Sequence, residues 1–473
     1  MRTSAESGAD ACVGDALEQE HGGVALPGHV VVLIVALSAA VVAQGGYYPA
    51  GRILVTVLVA VALVAALRLR PRVEVDARMV ALACAALAGW VLVRAVIADA
   101  YEVAFGAVGT LAGVAAVALI LARTSVGERI RGAEAVIGLG VLVSVTAWAG
   151  VAWRLPRFAV LVEGRLWRGA STLTYPNAAA ALLVPLALLA LALLLTRPRS
   201  LPLALAGYLL LVGTGATLSR AGLIALLAGL MVLAATAGLW STISRAGPLL
   251  LGAGIAVVAV VPSTPGTAQP QPALAAIGLV SGALIVTGSV LLPTRVRGGA
   301  MVGALLLGAI ALASQWGSDP LRAVLASRGN LDSPGRSGAA TAALELVGAN
   351  PLIGTGIGQA RFLWVTPNGN GALALYAHNE YLQLLVDLGL IGALLLMALF
   401  ATMAVAIRRG GAHQRRAGIR AGVFAALTAF AVHSGFDFLW HIAVLPLLGA
   451  LLVGLAAPAI RGNPSSSTTK EKA

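Results

Sequence analysis

Residues 177–196 read NAAAALLVPLALLALALLLT, twenty positions without a charged side chain. A helix needs about 20 mostly apolar residues to cross the hydrocarbon of a bilayer. The pattern recurs along the chain. Apolar runs give fourteen candidate spans, at 28–44, 51–68, 79–98, 103–122, 134–152, 177–196, 201–218, 221–240, 246–262, 273–292, 299–314, 382–406, 418–435 and 440–457. Composition agrees: of 473 residues, 59% are hydrophobic and 11% charged, and the mean hydropathy is +0.92. Soluble domains carry roughly 25% charged residues, which excludes a disordered chain and argues against a soluble multidomain enzyme. The expected fold is all-α, a polytopic transmembrane bundle of about 12–14 helices.

The runs divide the chain. Residues 1–27, with Glu6, Asp10, Asp15, Glu18 and Glu20 and no basic region ahead of the first apolar run, read as a disordered cytoplasmic tail, not a signal peptide. Residues 28–314 form the N-terminal membrane helices and 315–381 an extracytoplasmic loop. Residues 382–457 form the C-terminal membrane helices and 458–473 a second cytoplasmic tail.

The net charge of +13 does not indicate nucleic acid, because the arginines sit singly or in short clusters between apolar runs, as topology signals do. With the N-terminus in the cytoplasm, 21 of the 32 Lys and Arg fall inside and 11 outside, the positive-inside bias of a multi-pass protein of the cytoplasmic membrane with both termini inside. Cys12 and Cys84 make no disulfide framework. No Cys or His stands at metal-ligand spacing, so neither metal nor other cofactor is expected.

Nine of the eleven outer arginines fall in 153–176, in 315–381 and at Arg220. Arginines on the wrong side oppose the topology rule. They either meet lipid phosphates and solvent or line a pocket for a strongly anionic ligand, whose oxygens a guanidinium grips as a fork. The candidates are Arg165, Arg168, Arg220, Arg328, Arg336 and Arg361.

Residues 315–381 are the one long hydrophilic stretch within the membrane domain, and a loop of this length is usually functional. It holds a helix over 336–349, stopped by Asn350-Pro351, then the glycine-rich turn PLIGTGIGQARF (351–362). That turn lacks the preceding strand and the lysine of a nucleotide loop; its glycines permit a tight backbone path against the membrane surface. The loop ends in Tyr376-Ala-His378-Asn379-Glu380-Tyr381. An imidazole here either bonds at the interface or takes a proton from a sugar hydroxyl at neutral pH. Glu380 either orients it or is a surface carboxylate. Asp387 pairs locally near the interface. Asp437, His433 and His441 fall in the last outer turn, where they complete the pocket or pack at the interface.

Five segments, in order, resemble the O-antigen ligase and O-antigen polymerase superfamily of membrane glycosyltransferases: LTYPNAAAALLVPLAL (173–188), TLSRAGLIALLAG (217–229), DSPGRSGAATAALELVGANPLIGTGIGQARF (332–362), AHNEYLQLLVDLGLIGALLL (377–396) and HSGFDFLWHIAVLPLLGALLVGLA (433–456). The resemblance spans roughly 170–460. It implies transfer of a polyprenyl-diphosphate-linked glycan to a hydroxyl on a glycan, lipid or protein acceptor outside the cytoplasmic membrane, with no nucleotide sugar and no metal. Arg220 matches the family's helix-start arginine and Arg336 its loop arginine, both on the pyrophosphate. His378 matches the histidine that activates the acceptor, with Asn379 and Glu380 beside it. Arg165, Arg168, Arg328 and Arg361 have no family counterpart and stand as further donor contacts. Fourteen spans exceed the dozen or so of the family, through a false split within 246–314 or an extension.

The chemistry agrees, since fixed cations best stabilise the charge left on a pyrophosphate leaving group. A surface-polysaccharide polymerase would use the same donor. A small-anion, bicarbonate-like transporter is the rival from another class, but it would place ionisable groups or broken helices near the bilayer midplane. A shape–elongation–division type polymerase would need a loop acid, for which Asp319, Asp332 and Glu345 are available.

Overall fold

The computed structural model describes residues 25–69, 75–328, 334–366, 369–410 and 414–458. The tails expected at 1–27 and 458–473 fall almost wholly outside the described residues. In order come α1 (Gly28–Val42), α2 (Pro49–Leu69), α3 (Val75–Ala98), α4 (Tyr101–Leu121) and α5 (Val126–Ala152). A hairpin of β1 (Ala159–Val162) and β2 (Leu166–Gly169) follows. Then come α6 (Pro176–Thr196), α7 (Leu201–Ala216), α8 (Arg220–Ala237), α9 (Leu239–Val260), α10 (Pro272–Leu291) and α11 (Thr294–Gln315). The long loop holds α12 (Asp319–Arg328), α13 (Pro334–Ala349) and a second hairpin, β3 (Phe362–Val365) with β4 (Gly371–Ala374). The chain ends with α14 (Glu380–Arg409), α15 (Gln414–Ser434) and α16 (Val444–Ala456).

The protein is an all-α membrane bundle. Among the described residues, nine helices are long and apolar enough to cross a membrane, and four shorter apolar helices accompany them. Each of the fourteen apolar runs falls on a helix, and 246–314 is not a false split: α9, α10 and α11 are separate. Helix starts were the weaker reading. α5 begins at Val126, not 134, because Ser125 and Glu128 form a capping box, and its first turn carries charges that a search for apolar runs passes over.

The hub is α6, buried along nearly its whole length and packed by α5, α7, α8, α15 and α16. Its uninterrupted apolar surface is that of a helix surrounded by protein on all sides. Consequently its polar N-terminal turn is held at one end of the bundle by neighbours on every side, a rigid base for a site.

The long loop is structured. α13 packs on β3 and α14, so the helix expected at 336–349 is present, whereas α12 and both hairpins were not foreseen. The glycine-rich turn fills a break in α14. Gly389 there has φ +65° and ψ −165°. The carbonyls freed by the break are bonded from outside: Val386 by Thr355 N at 2.7 Å, Asp387 by Gly356 N at 3.2 Å and Leu388 by Trp90 Nε1 at 3.0 Å. The freed amides of Leu390 and Ile391 donate to Pro351 and Leu352. Arg94 fixes the turn through the Gly354 carbonyl at 3.0 Å.

Gly389→Ala is expected to be strongly destabilising. The backbone region it occupies is almost exclusive to glycine and costs other residues about 1–3 kcal/mol. A Cβ there would also collide with the Leu352 carbonyl. A fall in the thermal midpoint of the detergent-solubilised protein checks this; an unchanged midpoint contradicts it.

Candidate active site

At one end of the bundle the N-termini of α6, α8 and α14 meet the turn between α15 and α16. Each start is locally encoded. Tyr175 precedes Pro176 at the first position of α6, where a proline loses no helical hydrogen bond. Ser219 caps α8 through Gly222 N. Asn379 caps α14, its Oδ1 accepting from Tyr381 N at 3.0 Å and Leu382 N at 3.1 Å. Helix N-termini carry partial positive charge, and three together favour an anion.

Asp437 is the centre. Its side chain is fully buried, and its two oxygens collect donors from four parts of the chain. Oδ1 accepts from Phe438 N at 3.0 Å and faces His378 Nδ1 at 3.1 Å. Oδ2 accepts from Tyr175 Oη at 2.6 Å, Asn177 Nδ2 at 2.5 Å and Arg336 at 3.2 Å. Burial alone would raise this carboxyl; His378, Arg336 and Tyr175 outweigh it and hold it below its ordinary value. The stability it contributes is therefore present above the unfolded value of about 3.9 and is lost as pH falls through the lower folded one. Burial and the Asp437 charge together raise the Tyr175 hydroxyl, which stays a donor.

An ionised carboxylate only accepts, so Nδ1 of neutral His378 carries the hydrogen and Nε2 keeps its lone pair. His378 adopts a left-handed backbone, φ +51°, uncommon outside glycine and maintained only where surroundings enforce it. Its ring meets the edge of Phe438, and the Phe438 ring stacks against both Tyr175 and Tyr376. The imidazole is thus fixed in orientation and 28% exposed on its side chain.

Around this carboxylate stand cations. Arg168 is 6% exposed and donates to Asn177 Oδ1 at 2.8 Å and to the Thr217 carbonyl at 2.7 Å. Burial, then the Arg328 and Arg336 charges, pull its guanidinium down to about 9. Arg328 is lowered by burial first, then by Arg220 and Arg336, and its Nε is buried without a hydrogen-bond partner. Arg168, Arg220, Arg328 and Arg336 therefore form one coupled field of like charges, met by Asp437 at Arg168 and Arg336 and by Glu163 at Arg328. Such a cluster binds anions because a ligand relieves its mutual repulsion. Inorganic pyrophosphate is expected to raise the thermal midpoint, by about 2.7 kcal/mol of added stability at one hundred times its dissociation constant. Arg328→Ala is expected to weaken that shift, and an identical shift in the variant contradicts it.

Other expected residues lie elsewhere. Glu380 does not orient His378: its carboxylate is buried against Trp440 N and lies 3.4 Å from His441 Nδ1. Burial would lower His441, but Glu380 prevails and raises it. Asn379 spends its Oδ1 as a cap. Arg361 is exposed and donates to its own Gly358 and Ala360 carbonyls. Arg165 is exposed in the turn between β1 and β2. His433 is 1% exposed and lies near Asp437. Tyr175, Asn177 and Tyr376 were not singled out; for the first two, the available signal was a polar pair opening an otherwise apolar helix.

Residues 271–397 match a family model described as O-antigen ligase. This segment of the chain is similar to the O-antigen ligase family. The matched ligase domain runs from the start of α10 into α14, and it contains Arg328, Arg336 and His378. Arg168, Tyr175, Asn177, Arg220 and Asp437 lie outside it, so the site joins the ligase domain to flanking helices. The match supports ligase-like glycan transfer in general. No curated protein matches the chain.

Proposed function

We propose that this protein transfers a glycan from a polyprenyl-diphosphate donor to an acceptor hydroxyl, at the outer face of the cytoplasmic membrane and without a metal. The observation that carries this reading is an anchored imidazole and Arg336 on one buried carboxylate, Asp437, with Arg168, Arg328 and Arg220 in the adjoining field of positive charge. The arginines hold the pyrophosphate. His378 Nε2 takes the acceptor's proton as its oxygen bonds to the anomeric carbon. The bond from that carbon to the phosphate oxygen breaks, and its electron pair leaves on polyprenyl pyrophosphate, where Arg220, Arg328 and Arg336 meet the new charge. Asp437 stabilises the imidazolium, as a buried carboxylate does behind a catalytic histidine. Base and leaving group on opposite sides of the sugar carbon give direct displacement with inversion. The positive-inside bias supports cytoplasmic termini, and the loop 315–381 with Arg361, together with Arg165 in the β1–β2 turn, then borders the outer surface.

Arg336→Ala and Arg220→Ala are each expected to lower turnover about 10²–10³-fold, as loss of one fixed transition-state donor does. The assay is release of polyprenyl pyrophosphate from a synthetic donor, with EDTA present throughout. Full wild-type rates in both variants, or abolition by EDTA, contradicts the proposal. A polymerase would show the same dependence and differ only in where the glycan arrives.

One observation favours the transport reading: the break in α14, with buried Asp387 beside it, resembles the discontinuous helices of transporters. The freed carbonyls of Val386, Asp387 and Leu388, however, are already bonded by the loop and Trp90, which leaves them serving structure. Bicarbonate flux in vesicles that survives His378→Ala would favour transport.

A further inference from the structure

The β3–β4 hairpin has two unlike faces. Antiparallel pairing sets Leu363 opposite Leu373 and Val365 opposite Gly371, and alternation along a strand puts Leu363, Val365 and Leu373 on one face. The other face is occupied. Phe362 is fully buried, in a cluster with Leu382 and Val386 of α14, and a Cβ on Gly338 of α13 would collide with the Trp364 ring. The first face is open: Leu363, Val365 and Leu373 are 66%, 73% and 57% exposed, and Leu375, just past β4, is 58% exposed. Apolar side chains scattered singly over a surface need no explanation, but four gathered on one short hairpin do.

We propose that this face of the hairpin inserts into the bilayer surface, at the boundary of headgroups and acyl chains. Two observations select lipid as its partner. The first is level. Gln359 Nε2 donates to the carbonyl of Ala98 at 3.1 Å, and Ala98 is the last residue of α3, a membrane-spanning helix. The hairpin begins three residues later, at the membrane end of the loop. Here the exposed apolar surface of the loop joins that of a span: Leu390 and Ile391 of α14 donate to the carbonyls of Pro351 and Leu352, and Leu352, Ile353, Leu390 and Ile391 are all exposed. The second is charge. Arg361, exposed immediately before β3, is the only charged residue in 361–376. An apolar face edged by one cation suits a bilayer surface, with aliphatic groups among acyl chains and a guanidinium among lipid phosphates. The consequence for the site is positional. β4 runs through Tyr376 to His378, and α13, packed on Trp364, carries Arg336, so an inserted hairpin fixes both at one height above the bilayer. The anchor stands whether or not the site transfers glycans.

The test uses the full chain, with Cys12→Ser and Cys84→Ala, in phosphatidylcholine nanodiscs. An NBD fluorophore is attached at Leu363→Cys, at Leu373→Cys or, as the control, at Glu345→Cys, an exposed position of α13. Interfacial elements bury only about 5–10 Å into the headgroup boundary, so phosphatidylcholine brominated high on its acyl chains should quench both hairpin positions at least about threefold more than the control. Their emission should also shift to the blue. Water-like emission that brominated lipid leaves unquenched overturns the proposal in favour of a solvent-facing hairpin. Blue-shifted emission that it leaves unquenched overturns the proposal in favour of a protein contact, a second copy of the chain being the partner present. A fluorophore can itself seek lipid, so the unlabelled wild type is also irradiated with a diazirine phosphatidylcholine. Adducts are expected on the peptide spanning 361–376 as well as on α14; adducts on α14 alone contradict the insertion.

Discussion

Asp437→Asn is expected to lower turnover about 10⁴-fold, the loss seen when the buried carboxylate behind a catalytic histidine becomes an amide. The size follows from its contacts. The carboxylate fixes the His378 tautomer through Oδ1 and orders Tyr175, Asn177 and Arg336 through Oδ2. An amide supplies one acceptor oxygen and an NH₂ that faces either the imidazole or three donors. It also withdraws the negative charge that stabilises the imidazolium and offsets Arg336. Asp437→Ala is harsher, because removing one partner of a buried pair costs about 3–5 kcal/mol and leaves a cation uncompensated. The measurement is turnover beside a thermal midpoint. A variant that folds and keeps more than a tenth of wild-type rate contradicts the role given to Asp437.

His378→Ala is expected to lower turnover about 10²–10⁴-fold, the usual contribution of a general base, with donor affinity preserved. The two effects separate under the proposed mechanism, in which the arginines, not the imidazole, carry the pyrophosphate. Pyrophosphate should therefore stabilise His378→Ala as it does the wild type. A base acts on kcat with the acceptor, so donor KM should move little. Loss of pyrophosphate stabilisation in this variant would show that His378 holds the donor, contrary to its assignment as base.

Much of the fold was legible because a bilayer imposes a single rule on every span: each apolar run became a helix. The starts of α5 and α9 were not, because charged residues such as Arg129 and Arg245 lie inside those helices and interrupt an apolar count. The break at Gly389 escaped notice because its cause lies at Pro351–Gly356, more than thirty residues away.

The site was half legible for a similar reason. Arg220, Arg328, Arg336 and His378 stood out as polar groups where an apolar protein has little use for them. Adjacency offered Glu380 as the histidine's carboxylate, beside its reading as a surface group. Yet position 380 is the first of α14 and turns away toward Trp440, while Asp437 arrives from a turn 59 residues beyond His378. Arg168 reads as one of a loose loop cluster until the β1–β2 hairpin separates it, buried, from exposed Arg165.

The decisive measurement follows both products at once. Purified protein is given a polyprenyl-pyrophosphate-linked glycan and a glycan acceptor in EDTA. Free polyprenyl pyrophosphate and the newly joined glycan are then quantified together. Transferase chemistry at this site requires the two in equal amounts, both falling in His378→Ala and Asp437→Asn. Release without a joined glycan, or joining that persists at full rate in both variants, would contradict it.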